Sequence, residues 1–440
     1  MKKVSSPIPF LLLGLFSIIG IFMPVFVDFD GSKTYSFADI SWMLISSALV
    51  LLMTPGLSFF YGGMVGKKNV ISTMMQSFIA TGLISVLWIV VGFSLSFGKS
   101  FHGFIGDPTE FFMMKGINSH EPWPLGPSIP ILLFALFQMK FAIITPALVV
   151  GATAERIRFS SYILFMLLFS IFIYAPIAHW NWHPDGFLAK MGVIDFAGGT
   201  VVHISAGCAA LAGAIMLKRR RVHIAKEEMR PARIPYVLLG TGLLWFGWFG
   251  FNAGSALAAN ALAVNAFANT NTASAAAGLS WIFFDMVRGR KPSALGFCIG
   301  AVVGLVAITP AAGYVGLPQS MFIGFAGAIC SNIAVYWKGK TTIDDTLDVF
   351  PCHGIGGIVG MILTGVFASK KINPAIGSDG LIYGGTNFFL HQVLGCLIVV
   401  VFATAMSFII FKVVDLILPI RVSAQEEETG LDLTQHDEKL

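Results

Sequence analysis

Two histidines in long apolar stretches are the residues of this sequence with the clearest capacity for chemistry. His203 lies eight residues after Asp195, near the start of an apolar run that extends to residue 217. About 150 residues later, Asp348 precedes His353 at the start of a second apolar run. Ionisable groups at membrane depth are costly and rare, so they mark the path of a substrate. The repetition predicts a transporter with two corresponding halves and a site between them.

The two histidines could do chemistry together only as a pair. Their helices are expected to enter the membrane from opposite sides, so the imidazoles meet only if both helices begin within the bilayer. Two buried cationic rings would repel one another and lose hydration, so a meeting pair must share a proton between facing nitrogens. A packing role for each histidine stays open as an alternative. An intramembrane metalloenzyme is disfavoured because no H-E-x-x-H or similar ligand set accompanies them.

The composition predicts an all-α polytopic membrane protein. Of the 440 residues, 56% are apolar and only 12% are charged, whereas about a quarter is charged in soluble domains. Long apolar runs distinguish the chain from a transmembrane barrel, which has short alternating segments. The net charge of +5 comes from basic residues in loops beside these runs, which indicates topology and no nucleic-acid partner. The five cysteines lack metal-binding spacing, and neither a metal nor a cofactor is predicted.

Eleven apolar runs are candidates for crossing a bilayer of about 30 Å, although the seventh and eighth are short. They cover residues 39–62, 70–97, 127–151, 159–178, 198–217, 233–252, 273–287, 294–310, 317–337, 351–368 and 385–417. Between them, sixteen Lys and Arg residues fall on one side of the membrane and six on the other. The positive-inside rule therefore predicts an outside N-terminus and an inside C-terminus.

The two ends of the chain differ from the part between them. Residues 1–27 combine a basic start with an apolar run, which is typical of a secretory signal peptide. The run is also long enough for an extra N-terminal span, but an odd span count favours a removed signal. The membrane domain then covers residues 28–420. The tail, residues 421–440, is polar and is predicted from composition to be solvated and partly disordered.

Several long segments resemble the ammonium transporter family (Amt and Mep, related to the Rh proteins), in its bacterial and archaeal Amt type. They are PGLSFFYGG at 55–63, AERIRF at 154–159, DFAGGTVVH at 195–203, GWFGFNAGS at 247–255 and DVFPCHG at 348–354. The sequence GLDLTQH at 430–436 resembles the C-terminal motif of the family. The similarity extends over nearly the whole chain in the same order.

The resemblance implies transport of ammonium or ammonia across the inner (cytoplasmic) membrane by a homotrimer with one pore in each protomer. It also implies a 5+5 inverted repeat of helices followed by an eleventh helix. The cytoplasmic tail would touch the neighbouring protomer, and a PII-type signalling protein would be a regulator at the cytoplasmic face.

The resemblance assigns an outer ammonium site to Phe141, Trp182 and Ser255. Aromatic faces attract a cation by about 0.5–2 kcal/mol per ring, and a hydroxyl adds a directional acceptor. One additional residue before Asp195 leaves Trp180 as an alternative to Trp182. The competing interpretation of any single tryptophan here is an interfacial aromatic belt.

Below this site, the resemblance makes Phe141 and Phe251 a gate and places Trp248 in the pore lining. Phe137 stands one helical turn from Phe141, on the same face. His203 and His353 would form the centre of the pore, where desolvation favours loss of the ammonium proton. The prediction is that ammonium binds outside, loses a proton and crosses the apolar pore as ammonia.

Two charged residues near these motifs need an explanation of their own. Asp195 precedes two glycines at a helix start, where it could accept backbone N–H bonds or act directly on the cation. Lys140 departs from the family pattern, because it lies about 18 Å into the third predicted span. Such a cation costs at least ~2.5 kcal/mol unless it is paired or solvated, and the sequence does not reveal its partner.

A different functional class uses the same fold. An ammonium sensor would bind the ion and signal through its cytoplasmic tail to a partner. No kinase or other output domain follows the predicted spans in this sequence, which disfavours a self-contained sensor. Transport is therefore the leading interpretation.

Overall fold

The chain folds almost entirely into helices, as its composition predicts. The structure is a computed structural model that describes residues 7–23, 35–119, 121–227 and 230–440. The α-helices are α1 (Ile8–Ile21), α2 (Phe37–Met64), α3 (Val70–Leu87), α4 (Phe93–Phe97), α5 (Ile131–Leu148), α6 (Val150–Thr153), α7 (Phe159–Phe169), α8 (Ala175–Trp182), α9 (Phe187–Lys190), α10 (Ser205–Leu217), α11 (Arg221–Ala225), α12 (Ile234–Gly254), α13 (Ala261–Val287), α14 (Ala294–Ile308), α15 (Leu317–Lys338), α16 (Gly356–Phe367), α17 (Thr386–Ile417), α18 (Ala424–Thr429) and α19 (Leu431–His436).

Irregular segments connect or extend these helices. π-Helical segments occupy Trp88–Gly92, Ser170–Tyr174, Gly199–Ile204 and Phe350–Ile355. Short 3₁₀ turns occupy Lys67–Asn69, Phe112–Met114, Ile117–Ser119 and Leu381–Tyr383. Two short strands, β1 (Ser100–Phe101) and β2 (Ile105–Gly106), pair antiparallel with Ser100 opposite Gly106.

Nine helical runs in the described residues are long and apolar enough to cross a membrane. They are Phe37–Met64, Lys67–Phe97, Ile131–Thr153, Phe159–Lys190, Gly199–Leu217, Ile234–Gly254, Leu317–Lys338, Phe350–Phe367 and Thr386–Ile417. The seventh and eighth predicted spans coincide with α13, which is more polar, and with α14, which has 15 residues. The helical multi-pass architecture is confirmed. The count of eleven spans, the inverted repeat and the orientation stay predictions.

Helix α13 begins at Ala261, twelve residues before the start predicted from hydropathy. The side chain of Asn260 accepts the N–H of Ala263 at 3.0 Å and so caps the helix start. Asn269, in the first half of the helix, is buried and donates to the Val315 carbonyl at 2.7 Å. A buried amide is stable when it is hydrogen-bonded, so this polar stretch is helical although its hydropathy is low.

The two helical runs that carry the histidines, Gly199–Leu217 and Phe350–Phe367, cross at glycines. Gly207 lies against Gly354, and Gly357 lies against Gly199 and His203. A Cβ atom on Gly207 would overlap the backbone of Gly354, so only glycine fits at this crossing. Small residues let two membrane helices approach closely. The chain is therefore closely packed just after each histidine.

A buried ionic cluster anchors the loop between α15 and the second histidine segment. Arg220 donates two hydrogen bonds to the carboxylate of Asp344, at 2.7 and 2.9 Å, and one to Glu155 at 2.5 Å. Burial raises the pKa of Asp344, but the hydrogen bonds and charge of Arg220 outweigh burial and hold that pKa well below its usual value. Arg156 donates to the Asp344 carbonyl at 2.5 Å and to Thr346 at 2.8 Å. The cluster fixes the backbone just before the Phe350–Ile355 segment.

The tail is helical and docked, so the prediction of a solvated, partly disordered end is wrong. The buried carboxylate of Asp432 accepts the N–H of Ser72, in the first turn of α3, at 2.7 Å. In return, the side chain of Asn69 accepts the N–H of Leu431, at the start of α19, at 2.9 Å. Each helix start is therefore capped by a side chain from the other segment.

Charged residues of the tail are also used for docking. Ser423 and Glu426 form a capping box that starts α18. Glu427 is buried and accepts the N–H of Arg221 at 2.7 Å and the guanidinium of Arg421 at 2.8 Å. The composition of the tail predicted disorder because most partners of these polar groups are distant in the sequence and composition does not register them.

The N-terminal helix α1 lies within the region predicted to be a signal peptide. Its fourteen residues include no buried side chain. Residues 1–6 and 24–27 of that region lie outside the described residues. The signal peptide at 1–27, the membrane domain at 28–420 and the tail at 421–440 therefore stay predictions.

Candidate functional site

His203 and His353 meet beside the helix crossing. Their Nδ1 atoms are 3.3 Å apart, and their ring centroids are 5.4 Å apart. One nitrogen of such a contact must donate and the other accept, so a single proton lies between the two facing Nδ1 atoms. The Nε2 atom of His203 is buried and has no hydrogen-bond partner among the described residues. This nitrogen can therefore bond to a small molecule that enters the space beside it.

The two histidines lie in π-helical segments that precede regular helices. His203 is in Gly199–Ile204 and His353 is in Phe350–Ile355. π-Helical turns are rare and occur frequently at functional sites, because they change the direction of side chains relative to a regular helix. Both imidazoles are therefore carried by the same kind of irregular helical turn.

A narrow apolar cavity is lined by both imidazoles. Besides His203 and His353, it is lined by Trp248, Phe251, Met53, Leu57, Phe60, Ile144, Leu148, Val202, Leu244 and Val302. The imidazoles are the only ionisable side chains in this lining, as far as the described ranges extend. An apolar lining does not compensate a charge, so a neutral molecule passes through it at a much lower cost than its cation.

Phe251, in the lining of this cavity, packs against a second phenylalanine ring, Phe141. The Phe251 ring centroid lies 6.0 Å from that of His203. The Phe141 ring lies 4.2 Å from Phe251 with a tilt of 32°, and both side chains are buried. At this distance no molecule fits between the two rings. Passage past them therefore requires a rotation of at least one ring.

Trp182 lies on the other side of Phe141. The two ring centroids are 5.8 Å apart and nearly perpendicular, and the Trp182 indole donates to the Asp195 carbonyl at 2.9 Å. Trp180 instead packs against Phe402 at 4.5 Å. Trp182 and not Trp180 is therefore the tryptophan that adjoins the phenylalanine pair.

Ser255 and Phe137 flank the same aromatic group. Ser255 follows α12 one turn after Phe251, and its hydroxyl donates to the Phe251 carbonyl at 2.9 Å. The lone pairs of that hydroxyl stay available as acceptors. Phe137 lies 5.0 Å from Phe141 in an edge-to-face arrangement and also packs against Gly254. The aromatic residues singled out from the sequence thus form one contiguous group.

Asp195 caps the first histidine segment with its side chain. One carboxylate oxygen accepts the N–H groups of Gly198 and Gly199 at 2.8 and 2.7 Å. The other accepts the N–H of Thr200 at 2.7 Å and also its hydroxyl. The backbone at Gly198 has a φ of +117°, a conformation that glycine adopts without strain and that directs these N–H groups to one carboxylate. A negative group at a helix start is also favoured by the helix dipole.

The second segment has the same cap, which comes from an aspartate that the sequence analysis did not single out. Asp345, and not Asp348, accepts the N–H groups of Val349 and Phe350, at 3.0 and 2.8 Å. Asp348 has a left-handed backbone, and its carboxylate pairs with Lys338 at 2.5 Å. Asp345 precedes His353 by eight residues, as Asp195 precedes His203. This equal spacing was the signal that could have found it.

Trp248 is held in place by a residue that the sequence did not indicate. Its indole lies 5.3 Å from the His203 ring and nearly parallel to it. The indole N–H donates to the hydroxyl of Thr309 at 2.9 Å, and that hydroxyl donates to the Leu305 carbonyl at 2.7 Å. Thr309 thereby fixes the orientation of the tryptophan over the imidazole. A threonine at a helix end has no sequence signal that distinguishes this role.

Lys140 lies on a different face of α5 from the aromatic group. It is partly exposed, as are Leu136 and Leu132, which lie one and two turns before it, whereas Phe137 and Phe141 are buried. Its ammonium group contacts the sulfur of Met139 at 3.6 Å, and it forms no ion pair with any described residue. The structure therefore separates Lys140 from the phenylalanine pair in spite of its position next to Phe141.

The similarity of the whole chain to known proteins decides its family. A model of the Ammonium Transporter Family matches residues 41–440. The chain belongs to the ammonium transporter family. An ammonium transporter of Bacillus subtilis is 45% identical over 402 residues, which are 91% of this chain and 98% of that protein. Its relatives are transporters, so this family member is a multi-pass transport protein and not an enzyme.

Solved structures of other family members share its fold. Mep2 of Saccharomyces cerevisiae has a TM-score of 0.84 and 34% identity, and the match covers 90% of each chain. A protein described as a sensor Amt protein has a TM-score of 0.82 and 30% identity, covering 91% of this chain and 98% of that one. The fold is therefore similar to that of a transporter and to that of a sensor.

Proposed function

We propose that this family member carries ammonium across a membrane by removing its proton and passing it through the apolar cavity as ammonia. The observation that carries this proposal is the contact of two imidazoles in a cavity without any other ionisable side chain among the described residues. A neutral imidazole pair offers an acceptor and a donor to ammonia, whereas the apolar walls disfavour ammonium.

Ammonium is selected before it reaches the cavity, at Phe141, Trp182 and Ser255. Trp182 and Ser255 are partly exposed, whereas Phe141 is buried. A cation there contacts aromatic faces and can donate a hydrogen bond to the serine hydroxyl. Hydrogen-bond donation distinguishes ammonium from a metal cation of similar size. The Phe141 and Phe251 rings then act as the gate to the cavity.

Asp195 acts mainly by holding the first histidine segment in place. Its carboxylate oxygens are occupied by backbone N–H groups and by one hydroxyl. Its charge also favours a cation at the neighbouring aromatic site, because a carboxylate without a counter-ion attracts a cation over several ångströms in a low-dielectric region. Asp345 caps the second segment in the same way.

For the membrane we propose the arrangement that was predicted from the sequence. The chain crosses the inner (cytoplasmic) membrane eleven times, with the N-terminus outside, the C-terminus inside and a 5+5 inverted repeat followed by one helix. The matching caps of Asp195 and Asp345, eight residues before each histidine, support the repeat. Three protomers form a homotrimer within membrane lipid, and residues 1–27 are a signal peptide. A PII-type protein is the regulator at the cytoplasmic face.

An electrical measurement tests the proposal. Purified protein in liposomes on a supported membrane receives a jump in ammonium concentration, and the current is recorded. We expect a saturable current that the double variant His203→Ala/His353→Ala loses; because ammonia carries no charge, this current requires the released proton to cross separately through the imidazole pair. The variant His391→Ala, at an exposed histidine of α17, is the matched control and should keep the current. Stopped-flow pH measurements on the same liposomes report flux of neutral ammonia if no current is found.

Sensing is the second candidate, favoured by the similarity to a sensor Amt protein and by the docked tail. A sensor would bind ammonium at the same outer site and change the docking of its tail for a partner to read. Ammonium binding without current and without pH-detected flux would contradict transport and support sensing.

A further inference from the structure

A buried glutamine of α17 holds the loop that precedes the first histidine segment. Gln392 lies in the second turn of α17 and is fully buried, whereas the neighbouring His391 is exposed. The amide oxygen of Gln392 accepts the N–H of Ile194 at 3.0 Å, and its amide nitrogen donates to the carbonyl of Ile194 at 2.6 Å. A single side chain therefore binds both backbone groups of one loop residue.

The orientation of this amide is fixed by the groups that it contacts. A backbone N–H can only donate and a carbonyl can only accept, so the amide oxygen must face the N–H of Ile194 and the amide nitrogen its carbonyl. The amide nitrogen also lies 3.8 Å from the sulfur of Met361 on α16, the helix that follows His353. Gln392 therefore joins α17 to the loop before the first histidine segment and to the helix after the second one.

Ile194 directly precedes Asp195, which contributes to two parts of the candidate site. The Asp195 carboxylate caps the segment that carries His203, because it accepts N–H groups at the start of that segment. The Asp195 carbonyl accepts the indole N–H of Trp182 at 2.9 Å. A shift of the backbone at Ile194 would therefore move the cap of the histidine segment and the hydrogen-bond acceptor of Trp182 together.

We propose that Gln392 is a positioning residue for ammonium transport and acts through the backbone beside Asp195. This inference rests on the proposed function, because Asp195 and Trp182 belong to the site proposed there. Gln392 itself does not line the apolar cavity. Without its amide, the N–H and carbonyl of Ile194 lose their bonds, so the loop shifts and displaces both Trp182 and the cap of the histidine segment.

The variant Gln392→Met, which keeps the length of the side chain and removes the amide, tests this proposal. In the proteoliposome current assay we expect the ammonium concentration for half-maximal current to rise by at least about tenfold, because small displacements at a site have large effects. This concentration does not depend on how much protein is folded, whereas the maximal current does. Gln392→Asn, whose amide is too short to reach Ile194, should give a similar rise.

Hydrogen exchange of the purified full chain tests the position of the loop without any transport. Residues 194–200 include N–H groups that are bonded to Gln392 and Asp195, and they should exchange faster in Gln392→Met than in the wild type. Gln76→Met is the matched control. It removes another fully buried amide, whose hydrogen bond is to Ser72 in its own helix, and should change neither exchange at 194–200 nor the half-maximal concentration.

Two outcomes would overturn the proposal. An unchanged half-maximal concentration in Gln392→Met, with a lower unfolding temperature, would show that the amide only stabilises the fold. Unchanged exchange at 194–200 would show that Gln392 does not hold the loop. A wild type without current or pH-detected flux would instead contradict the proposed function. In that case the exchange data, together with ammonium-induced thermal stabilisation of the wild type and Gln392→Met, still decide whether Gln392 positions the ammonium site.

Discussion

The starts of the two histidine segments are built alike but differ in their charge balance. Asp195 accepts hydrogen bonds from N–H groups and a hydroxyl, and no described residue supplies it with a cation. At the other start, the ammonium group of Lys338 reaches the Asp345 carbonyl at 2.6 Å and the Asp348 carboxylate at 2.5 Å. The carboxylate at the first start therefore has no described cation beside it, whereas the two carboxylates at the second start share one cation, Lys338.

This difference separates two roles that one carboxylate could have. Both aspartates hold a π-helical segment that carries an imidazole, so capping alone predicts equal effects of substitution. An additional attraction for ammonium predicts a larger effect at Asp195, which lies beside Trp182. Variants of the aspartates at the two starts can thus distinguish the positioning of a histidine segment from the attraction of ammonium.

Separation of the two segments should have the largest effect. In Gly207→Ala the added methyl group would overlap Gly354, so α10 and the Phe350–Ile355 segment must move apart and the imidazoles lose their contact. We expect loss of ammonium flux in proteoliposomes, because overpacking forces a backbone shift. Gly242→Ala adds a methyl group where nothing lies within 4 Å and is the control. Normal flux in Gly207→Ala would show that the close crossing is unnecessary.

Removal of one charge at each start should have the next largest effect. Asp195→Asn should reduce ammonium flux by at least about tenfold, or about 1.4 kcal/mol, because it loses charge-assisted hydrogen bonds and the negative charge beside the outer site. Asp345→Asn should lower the thermal unfolding temperature but leave ammonium-induced stabilisation unchanged. Equal losses of ammonium binding in both variants would contradict a substrate role for Asp195.

The start of α3 is also capped by a side chain, and docking of the tail at this start should show a smaller effect that depends on pH. Its cap, Asp432, comes from the tail, and His436 of the same helix contacts the Ser72 hydroxyl at 3.2 Å and the Phe159 ring at 4.8 Å. Burial lowers the pKa of His436, against the opposing charges of Glu438 and Asp432. A lowered pKa means that the released tail binds the proton better, so docking is favoured above about pH 6.5 and weakens as the pH falls.

Hydrogen exchange of residues 431–436 at pH 7.5 and 5.5, corrected for intrinsic rates, measures this effect. We expect weaker protection at the lower pH in the wild type. Burial raises the pKa of Asp432, which acts in the opposite direction, so His436→Gln is needed to isolate the histidine. The same pH dependence in His436→Gln would exclude the histidine as its cause.

Lys140→Met should have the smallest effect on transport. The side chain lies on the partly exposed face of α5 with Leu132 and Leu136, away from the buried faces of the aromatic group. We expect flux within about twofold of the wild type and a protein that is at least as stable, because a membrane-embedded cation is costly. A larger change in the ammonium concentration for half-maximal current would show that Lys140 influences the outer site electrostatically.

The sequence was sufficient to predict the helical membrane fold, and the family resemblance assigned the aromatic residues and the two histidines to one pore. Long apolar runs and an ionisable residue within them are local signals, and His203 and His353 are both of this kind. Hydropathy failed at α13, where buried Asn269 is stabilised by the Val315 carbonyl. A hydropathy scale cannot register such a partner, because it scores each residue by itself.

The hydrogen-bond and ion-pair partners of polar side chains could not be predicted from the sequence. Asp345 and Asp348 both precede His353, and only the left-handed backbone and the ion pair of Asp348 show that Asp345 is the cap. Thr309 supports Trp248 from a different helix. Each of these depends on a three-dimensional contact and not on a local pattern.

The cap on α3 has a consequence for the order of events during synthesis. Asp432 is 360 residues later in the chain than Ser72, whose N–H it accepts. At about 5–20 residues per second, roughly 20–70 s separate the synthesis of these two positions. During that interval the first turn of α3 lacks its carboxylate, so the start of this helix is completed only by a residue that is synthesised much later.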